Sequence, residues 1–410
     1  MQILLLMPKS AISWRSLTGT EDAGFISQMS AQDRAERDRM RETPPETPAG
    51  RPGADGLSRP GPIAQPAQRH NGASEPATEP DVTIIVVPRE RFSVSVRVLE
   101  ALYERTRYPF SLVYVDGGSP RSTRSQLEAA SRRYGFSLIR RDRYLTPNQA
   151  RNLALRQVRT KYVVSLDNDV LVTPGWLDTL IRSAEDTGAA VVGPVTCIGE
   201  PEGEVIHSAG GVAHVAEWGT RRQFVHQNHH EYSRLEDLRP LLSRRETEMV
   251  EFHCMLIRTA VLARIGTLDE QILNDPHHVD FCMTVRAAGG AIYLEPAAVV
   301  TQLAPPPVPW SDLPFFLQRW NGPATRRSLE HFRRKWRLPE DDRSIAAFSQ
   351  WLVDRRRLAF GRLHWMVQAA VGWRAGTWIE RVCLVPLEAA VSGAAFYALR
   401  PRGPHDRSQA

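Results

Sequence analysis

From residue 82 onward, short apolar runs alternate with segments whose apolar positions recur every three or four residues. Val82, Thr83, Ile84, Ile85, Val86 and Val87 are mostly β-branched and almost wholly apolar, as in a strand buried on both faces of a parallel sheet, and Pro88 ends the run. The pattern then predicts a helix over 94–105, a second buried strand over 111–115, a loop at Asp116, Gly117, Gly118, Ser119 and Pro120, and a helix over 121–134. A short strand over 136–140, a helix over 148–158 and a strand over 162–166 follow, the last running into Asp167, Asn168 and Asp169. Such alternation implies a doubly wound α/β sheet, in which ligands bind beyond the carboxyl ends of the strands. Asp116 and the cluster at 167–169 both stand at such ends.

A helix over 176–186 and a strand over 189–193 lead into a polar region, 196–248, whose glycines and histidines predict loops and hairpins over the site. Its His226, His229 and His230 read as a flexible polar loop rather than a metal cluster, since no cysteine lies near. Order resumes with a strand over 250–257, helices over 259–265 and 275–288, and a closing strand over 291–294. Residues 1–80, charged and then rich in proline and glycine, read as a disordered leader. The α/β domain is therefore expected over 81–304, a proline-rich spacer and helical basic extension over 305–345, and an amphipathic tail over 346–410.

Composition sharpens this picture in three places. Basic residues outnumber acidic ones by 52 to 46, and the excess is local: between Ser311 and Arg362 stand twelve Arg and Lys against six acids, which accounts for the whole net charge of +6. That disfavours a nucleic-acid binder and suits a basic appendage meeting an anionic surface. Seven of the ten tryptophans lie at or beyond Trp310. Over 310–345 they read as the core of a helical lobe. Over 351–399 the mixture of rings and cations suits an anionic membrane interface. The apolar run 382–399 is interrupted by Pro386 and Glu388, a poor match to the roughly 20 apolar residues of a clean span. Cys197, Cys254, Cys282 and Cys383 form no CxxC pair, which argues against a disulfide scaffold and a thiolate zinc site and suits a reducing compartment.

The sharpest chemical signal is Asp167, Asn168, Asp169. An isolated Asp-x-Asp is usually a turn or a helix cap. Where a buried strand stops, two carboxylates so spaced can hold a hard divalent cation, and that cation can clamp a diphosphate. A dinucleotide-dependent oxidoreductase is disfavoured, because no GxGxxG follows Val87.

Several elements then occur in one order: Pro88, Arg89, Glu90; Val115, Asp116, Gly117, Gly118, Ser119; Asn148, Gln149, Ala150, Arg151, Asn152; the aspartate cluster; and Met255, Leu256, Ile257, Arg258 leading into Ile265, Gly266, Thr267, Leu268, Asp269, Glu270. In this the chain resembles a family 2 glycosyltransferase of GT-A fold over about residues 82–303, here with a helical C-terminal extension. The resemblance implies a nucleotide-sugar donor, with Pro88, Arg89 and Glu90 in the base pocket and Asp116 on the uracil or ribose. Asn148, Arg151 and Asn152 would support the donor, Asp167 and Asn168 would face the ribose and sugar, and Asp167 and Asp169 would hold Mn2+ or Mg2+ on the diphosphate.

The family's general base comes from a Glu-Asp-x-Asp stretch, which here reads His277, His278, Val279, Asp280. Asp280 and His278 are therefore the candidate bases, with Asp275 as the fallback. Gln302 stands where many relatives place a metal-binding histidine. The expected activity is inverting, metal-assisted transfer of a sugar, from a UDP-sugar, to a glycan or lipid-linked acceptor hydroxyl. Its setting would be cytoplasmic, peripheral on the cytoplasmic membrane face. The rival expectation is an inactive relative that binds nucleotide sugar or a partner.

Overall fold

A computed structural model describes residues 80–398 except 201, 220 and 304–307. The expected leader, apart from Pro80, lies outside the described residues, as do Pro305, Pro306 and Pro307 of the spacer and the tail beyond 398. The strands are β1 (Val82–Val87), β2 (Ser111–Gly117), β3 (Ser137–Arg141), β4 (Tyr162–Asp167), β5 (Val170–Val172), β6 (Val191–Ile198), β7 (Val205–Ser208), β8 (Gly211–Trp218), β9 (Arg221–Asn228), β10 (Arg245–Glu246), β11 (Cys254–Arg258) and β12 (Ile292–Gln302). One mixed sheet runs β10-β12-β6-β11-β4-β1-β2-β3, with β5 on β12 and β7 on β6. Strands β4, β1, β2 and β3 are parallel, while β11 runs antiparallel between β4 and β6. The doubly wound mixed sheet is thus present, and β8 and β9 form a separate hairpin.

The two-residue period of a strand divides β1 between two cores. Ile84 and Val86 pack with Leu99, Leu127, Leu177 and Leu180 from the helices Ser95–Arg105, Arg121–Tyr134 and Trp176–Thr187. Ile85 and Val87 pack on the other face with Ala150 and Ala154 of the helix Pro147–Leu155 and Val279 of the helix His277–Ala287. All four β1 side chains are at most 2% exposed, which is why the run carries no polar alternation. The helix Pro147–Leu155 starts at Thr146, whose hydroxyl accepts from the Gln149 N–H while the Gln149 side chain accepts from the Thr146 N–H.

Several strands differ from their expected bounds, β6 running over Val191–Ile198 rather than 189–193, and two further differences shape the site. The strand expected over 250–257 begins only at Cys254. The preceding stretch leaves the ladder as Glu251 and His253 turn toward a buried polar cluster. The closing strand continues to Gln302 across a register shift between Glu295 and Val299, where Pro296 cannot donate. That extension pairs Gln302 with Val170, directly after Asp169.

The C-terminal extension comprises the helices Leu313–Arg319, Gly322–Lys335, Arg343–Arg357, Gly361–Ile379 and Val385–Ala398. Gly361–Ile379 breaks at Gly372, whose φ of 77° suits glycine. Asp312 fastens the extension to the sheet by accepting from the Phe92 and Ser93 N–H groups at 2.9 and 3.3 Å. No helix among the described residues is long and apolar enough to cross a membrane.

Candidate active site

The carboxyl ends of β1, β2 and β4 bring most of the expected residues to one rim, where burial forces every polar group to seek a partner. Pro88 is buried at the end of β1. Asn168 joins the neighbouring turns: its Oδ1 accepts from the Arg89 N–H at 3.0 Å, and its Nδ2 donates to the Arg91 carbonyl at 2.7 Å and Ser95 Oγ at 2.8 Å. Its side chain is a latch between β1 and the aspartate turn. Asp116 accepts from the Ser119 N–H and hydroxyl at 2.9 and 2.8 Å and pairs with Arg140. Asn148 and Asn152 reach elsewhere, donating to the Asp269 and Leu268 carbonyls and so fixing the segment that follows Gly266.

Asp167 lies inside a cage of cations. Arg151 Nη2 donates to its Oδ1 at 2.7 Å, and Arg89 Nη1 donates to its Oδ2 at 3.3 Å. His253 Nδ1 lies 3.3 Å from the same Oδ2. Burial alone would raise the pKa of Asp167, but Arg151, His253 and Arg89 outweigh it and hold the carboxyl well below the usual range. Asp169 differs. Gln302 Nε2 is 3.5 Å and Arg91 Nε 4.0 Å from its Oδ2, while its buried Oδ1 has no hydrogen-bond partner. Burial raises its pKa against the pull of Arg91 and Arg89.

Arg319, from the first helix of the extension, is 5% exposed, and none of its three guanidinium nitrogens has a hydrogen-bond partner. Its nearest carboxylate oxygen is Asp275 Oδ2, at 4.0 Å, itself buried and unpartnered. Arg151 Nη1 and Arg89 Nε are orphaned in the same way. Burial pushes Arg151 and Arg319 down to about 10, which leaves both charged at neutral pH. Three guanidinium groups and the carboxylates of Asp169 and Asp275 thus keep buried polar atoms without a hydrogen-bond partner. Glu90 does not join them: it accepts from Trp320 Nε1 at 3.0 Å and Arg355 Nη2 at 2.7 Å. Arg355, with Arg89 and Arg91, overcomes the effect of burial and lowers Glu90 to about 2.

The candidate bases divide. Both oxygens of Asp280 are engaged, by Lys335 Nζ at 2.7 Å and Trp336 Nε1 at 2.9 Å, on the wall of a cavity of about 460 Å³ that Asn148, Asp269, His277 and Lys335 also line. Asp275 instead faces the arginines, with Oδ1 2.9 Å from His277 Nδ1. His278 is 8% exposed, and its Nε2 lacks a partner. Burial lowers His277 to about 4 and His278 to about 3, so both imidazoles are neutral at pH 7. His226 lies in β9 with its ring 6.3 Å from that of His278, and among the described residues it forms no metal cluster with His229 and His230.

Asp167, Asp169 and His253 offer one ligand atom each within 4.8 Å of one another. The orphaned Asp169 Oδ1 gives a cation a position that no protein donor fills, so this oxygen-rich set fits a hard divalent metal. Sequence reasoning missed His253, Arg319 and Arg355. His253 falls inside the strand expected over 250–257, whose start at Cys254 leaves it in the preceding irregular stretch, and the two arginines reach the rim from elements far along the chain.

Residues 83–266 match the family model described as glycosyl transferase family 2. An uncharacterized protein, y4gI, of Sinorhizobium fredii is 26% identical over 63% of this chain and 28% of its own length. Pre-mycofactocin glycosyltransferase of Mycobacterium tuberculosis is 23% identical over 54% of this chain and 42% of its own. The chain therefore spans less than half the length of either curated relative. Among solved structures, the mannosyltransferase PcManGT from Pyrobaculum calidifontis, in complex with GDP-Man and Mn2+, is 15% identical with a TM-score of 0.45, covering 92% of this chain and 94% of that one. GalNAc-T7 with UDP, GalNAc and Mn2+ is 13% identical with a TM-score of 0.44, over 72% and 58%. Residues 83–266 form a domain of glycosyl transferase family 2.

Proposed function

We propose that the protein is an inverting glycosyltransferase that moves a sugar from a nucleotide donor, a UDP-sugar, to an acceptor hydroxyl with the help of Mn2+ or Mg2+. The observation that carries this reading is the buried set of Arg89, Arg151 and Arg319 around Asp167 and Asp275, each with guanidinium nitrogens left without a hydrogen-bond partner. Buried guanidinium N–H groups without acceptors are costly, and a diphosphate supplies matching ones. Asp167 and Asp169 would hold the metal, which when bound neutralises negative charge on the leaving diphosphate. Arg151 and Arg319 oppose the same charge from the protein side, in a site already shielded from water. Asp116, Pro88 and Glu90 would shape the base and ribose pocket.

In the transfer, the acceptor oxygen bonds to the anomeric carbon as the bond from that carbon to the diphosphate oxygen breaks, the electron pair leaving with the diphosphate. The acceptor proton goes to Asp275, whose idle Oδ2 faces the arginines while His277 holds Oδ1. The cavity beside Asp269 is the natural approach for the acceptor. Asp167, Asp169 and Arg151 are at most 1% exposed, so a donor that reaches them must displace what covers the rim.

Release of nucleoside diphosphate across a panel of donors and acceptors, with and without Mn2+, tests this reading. Turnover with at least one donor is expected. The engaged Asp280 favours a second reading, an inactive relative that binds donor without release, and binding alone across the panel would establish it.

The extension also suits an anionic lipid surface. Trp365, Met366, Trp373 and Trp378, on either side of the break at Gly372, are each at least 60% exposed beside basic residues. A Trp365→Ser, Trp373→Ser, Trp378→Ser variant should leave anionic liposomes for the supernatant, and equal partitioning with the unaltered protein would exclude this contact.

A further inference from the structure

We infer a second metal site, separate from the Asp167 and Asp169 pair, in which His207, Glu251 and His253 hold a divalent cation of the zinc class. His207 lies on β7, and Glu251 and His253 lie in the irregular stretch before β11. His207 Nε2 is 3.2 Å and His253 Nε2 is 2.9 Å from one oxygen, Glu251 Oε2. One ligand atom from each of the three residues lies within 4.8 Å of the others. Tetrahedral zinc with bonds of about 2.0–2.2 Å sets its ligand atoms roughly 3.3–3.5 Å apart, close to this spacing.

The angles point the same way. His253 is fully buried, and its Nε2 makes no hydrogen bond despite its closeness to Glu251. Two ligand atoms aimed at a common third point, rather than at each other, have this relation. A carboxylate lies near the other nitrogen of each ring, the kind of neighbour that metal-bound imidazoles have. His253 Nδ1 is 3.3 Å from Asp167 Oδ2, and His207 Nδ1 is 3.8 Å from Glu231 Oε1. Asn228 Nδ2 donates to the remaining Glu251 oxygen at 3.1 Å. Two imidazoles and one carboxylate suit Zn2+ or Co2+ better than Mg2+. A cation here would tie β7 to the stretch before β11, beside the His253 Nδ1 that lies 3.3 Å from both Asp167 Oδ2 and Arg89 Nη1, so the site braces the aspartate turn from behind.

The competing account is an ion-free chain of hydrogen-bonded carboxylates and imidazoles running from Asp167 to Glu231. Metal analysis of the whole protein after Zn2+ loading and dialysis, with visible spectra of the Co2+ form, separates the two. We expect about one tightly held ion with tetrahedral Co2+ bands, retained in Asp169→Asn and weakened roughly 100-fold or more in His207→Ala. His207→Cys, which keeps a ligand, should restore binding, and Glu251→Gln supplies a same-sized variant should His207→Ala fold poorly. No uptake by the unaltered protein, or uptake that survives both His207→Ala and Glu251→Gln, would overturn the site.

Discussion

Asp275 and Asp280 flank one helix start, are equally buried at 3% exposure, and have opposite surroundings. Asp280 is satisfied on both oxygens by Lys335 and Trp336, so it ties the C-terminal extension to the domain. Asp275 keeps one oxygen idle opposite Arg319, whose guanidinium is idle too. Folding alone explains the first arrangement, because every group it buries is paired. It does not explain the second, because buried charged groups left without hydrogen bonds persist only where something offsets their cost. The distinction extends to the rim: Asn152 is spent on backbone contacts, whereas Asp169, Arg151 and Arg319 hold valences in reserve.

The largest expected effect comes from the reserved side. Asp169→Asn should remove metal-stimulated turnover, a fall of about 10³-fold in kcat, with little change in thermal midpoint. Full activity with that variant would take the metal away from Asp169. Asp275→Asn should lower kcat by about 10²-fold while donor affinity is retained, as single-turnover and binding assays can separate. Asp280→Asn should act in the opposite sense, costing about 2 kcal/mol in urea unfolding through its lost charged hydrogen bonds, with a smaller loss of kcat than Asp275→Asn. If Asp280→Asn proved the slower enzyme of the two, the assignment of the base would be reversed.

The smallest expected effect is on pH dependence. His277 and His278 are lowered from 6.5 to about 4 and about 3 by burial, so the unfolded chain takes up their protons first. Their contribution to stability is complete above pH 6.5 and is lost as pH falls from there through the folded values. Unfolding measured between pH 7 and 4 should show a shallower decline in His278→Asn than in the unaltered protein, and parallel curves would remove this source of acid lability.

Much of the fold was legible because β1, β2 and β4 are buried on both faces and announce themselves as unbroken apolar runs, with Asp116 and Asp167 at their ends. The aspartate turn was legible for the same reason. His253 was not, since it reaches Asp167 only because β11 inserts antiparallel beside β4, a pairing that no local pattern encodes. Arg319 sits in a stretch whose basic and aromatic composition reads as an appendage, and only the packing of the extension brings it to the rim. Asp280 kept its place in the motif while Lys335 and Trp336 changed its employment. Motif position specifies a residue's neighbourhood, and the valences left idle there indicate its task.

Calorimetric titration of uridine diphosphate in the presence of Mn2+ into the unaltered protein, Arg319→Ala and Asp280→Asn tests the central claim most directly. The account predicts that Arg319→Ala weakens binding about 10-fold or more, as expected for a lost charged contact of about 1.5–3 kcal/mol, while Asp280→Asn binds as the unaltered protein does. Undiminished binding by Arg319→Ala, at saturating Mn2+, would contradict it.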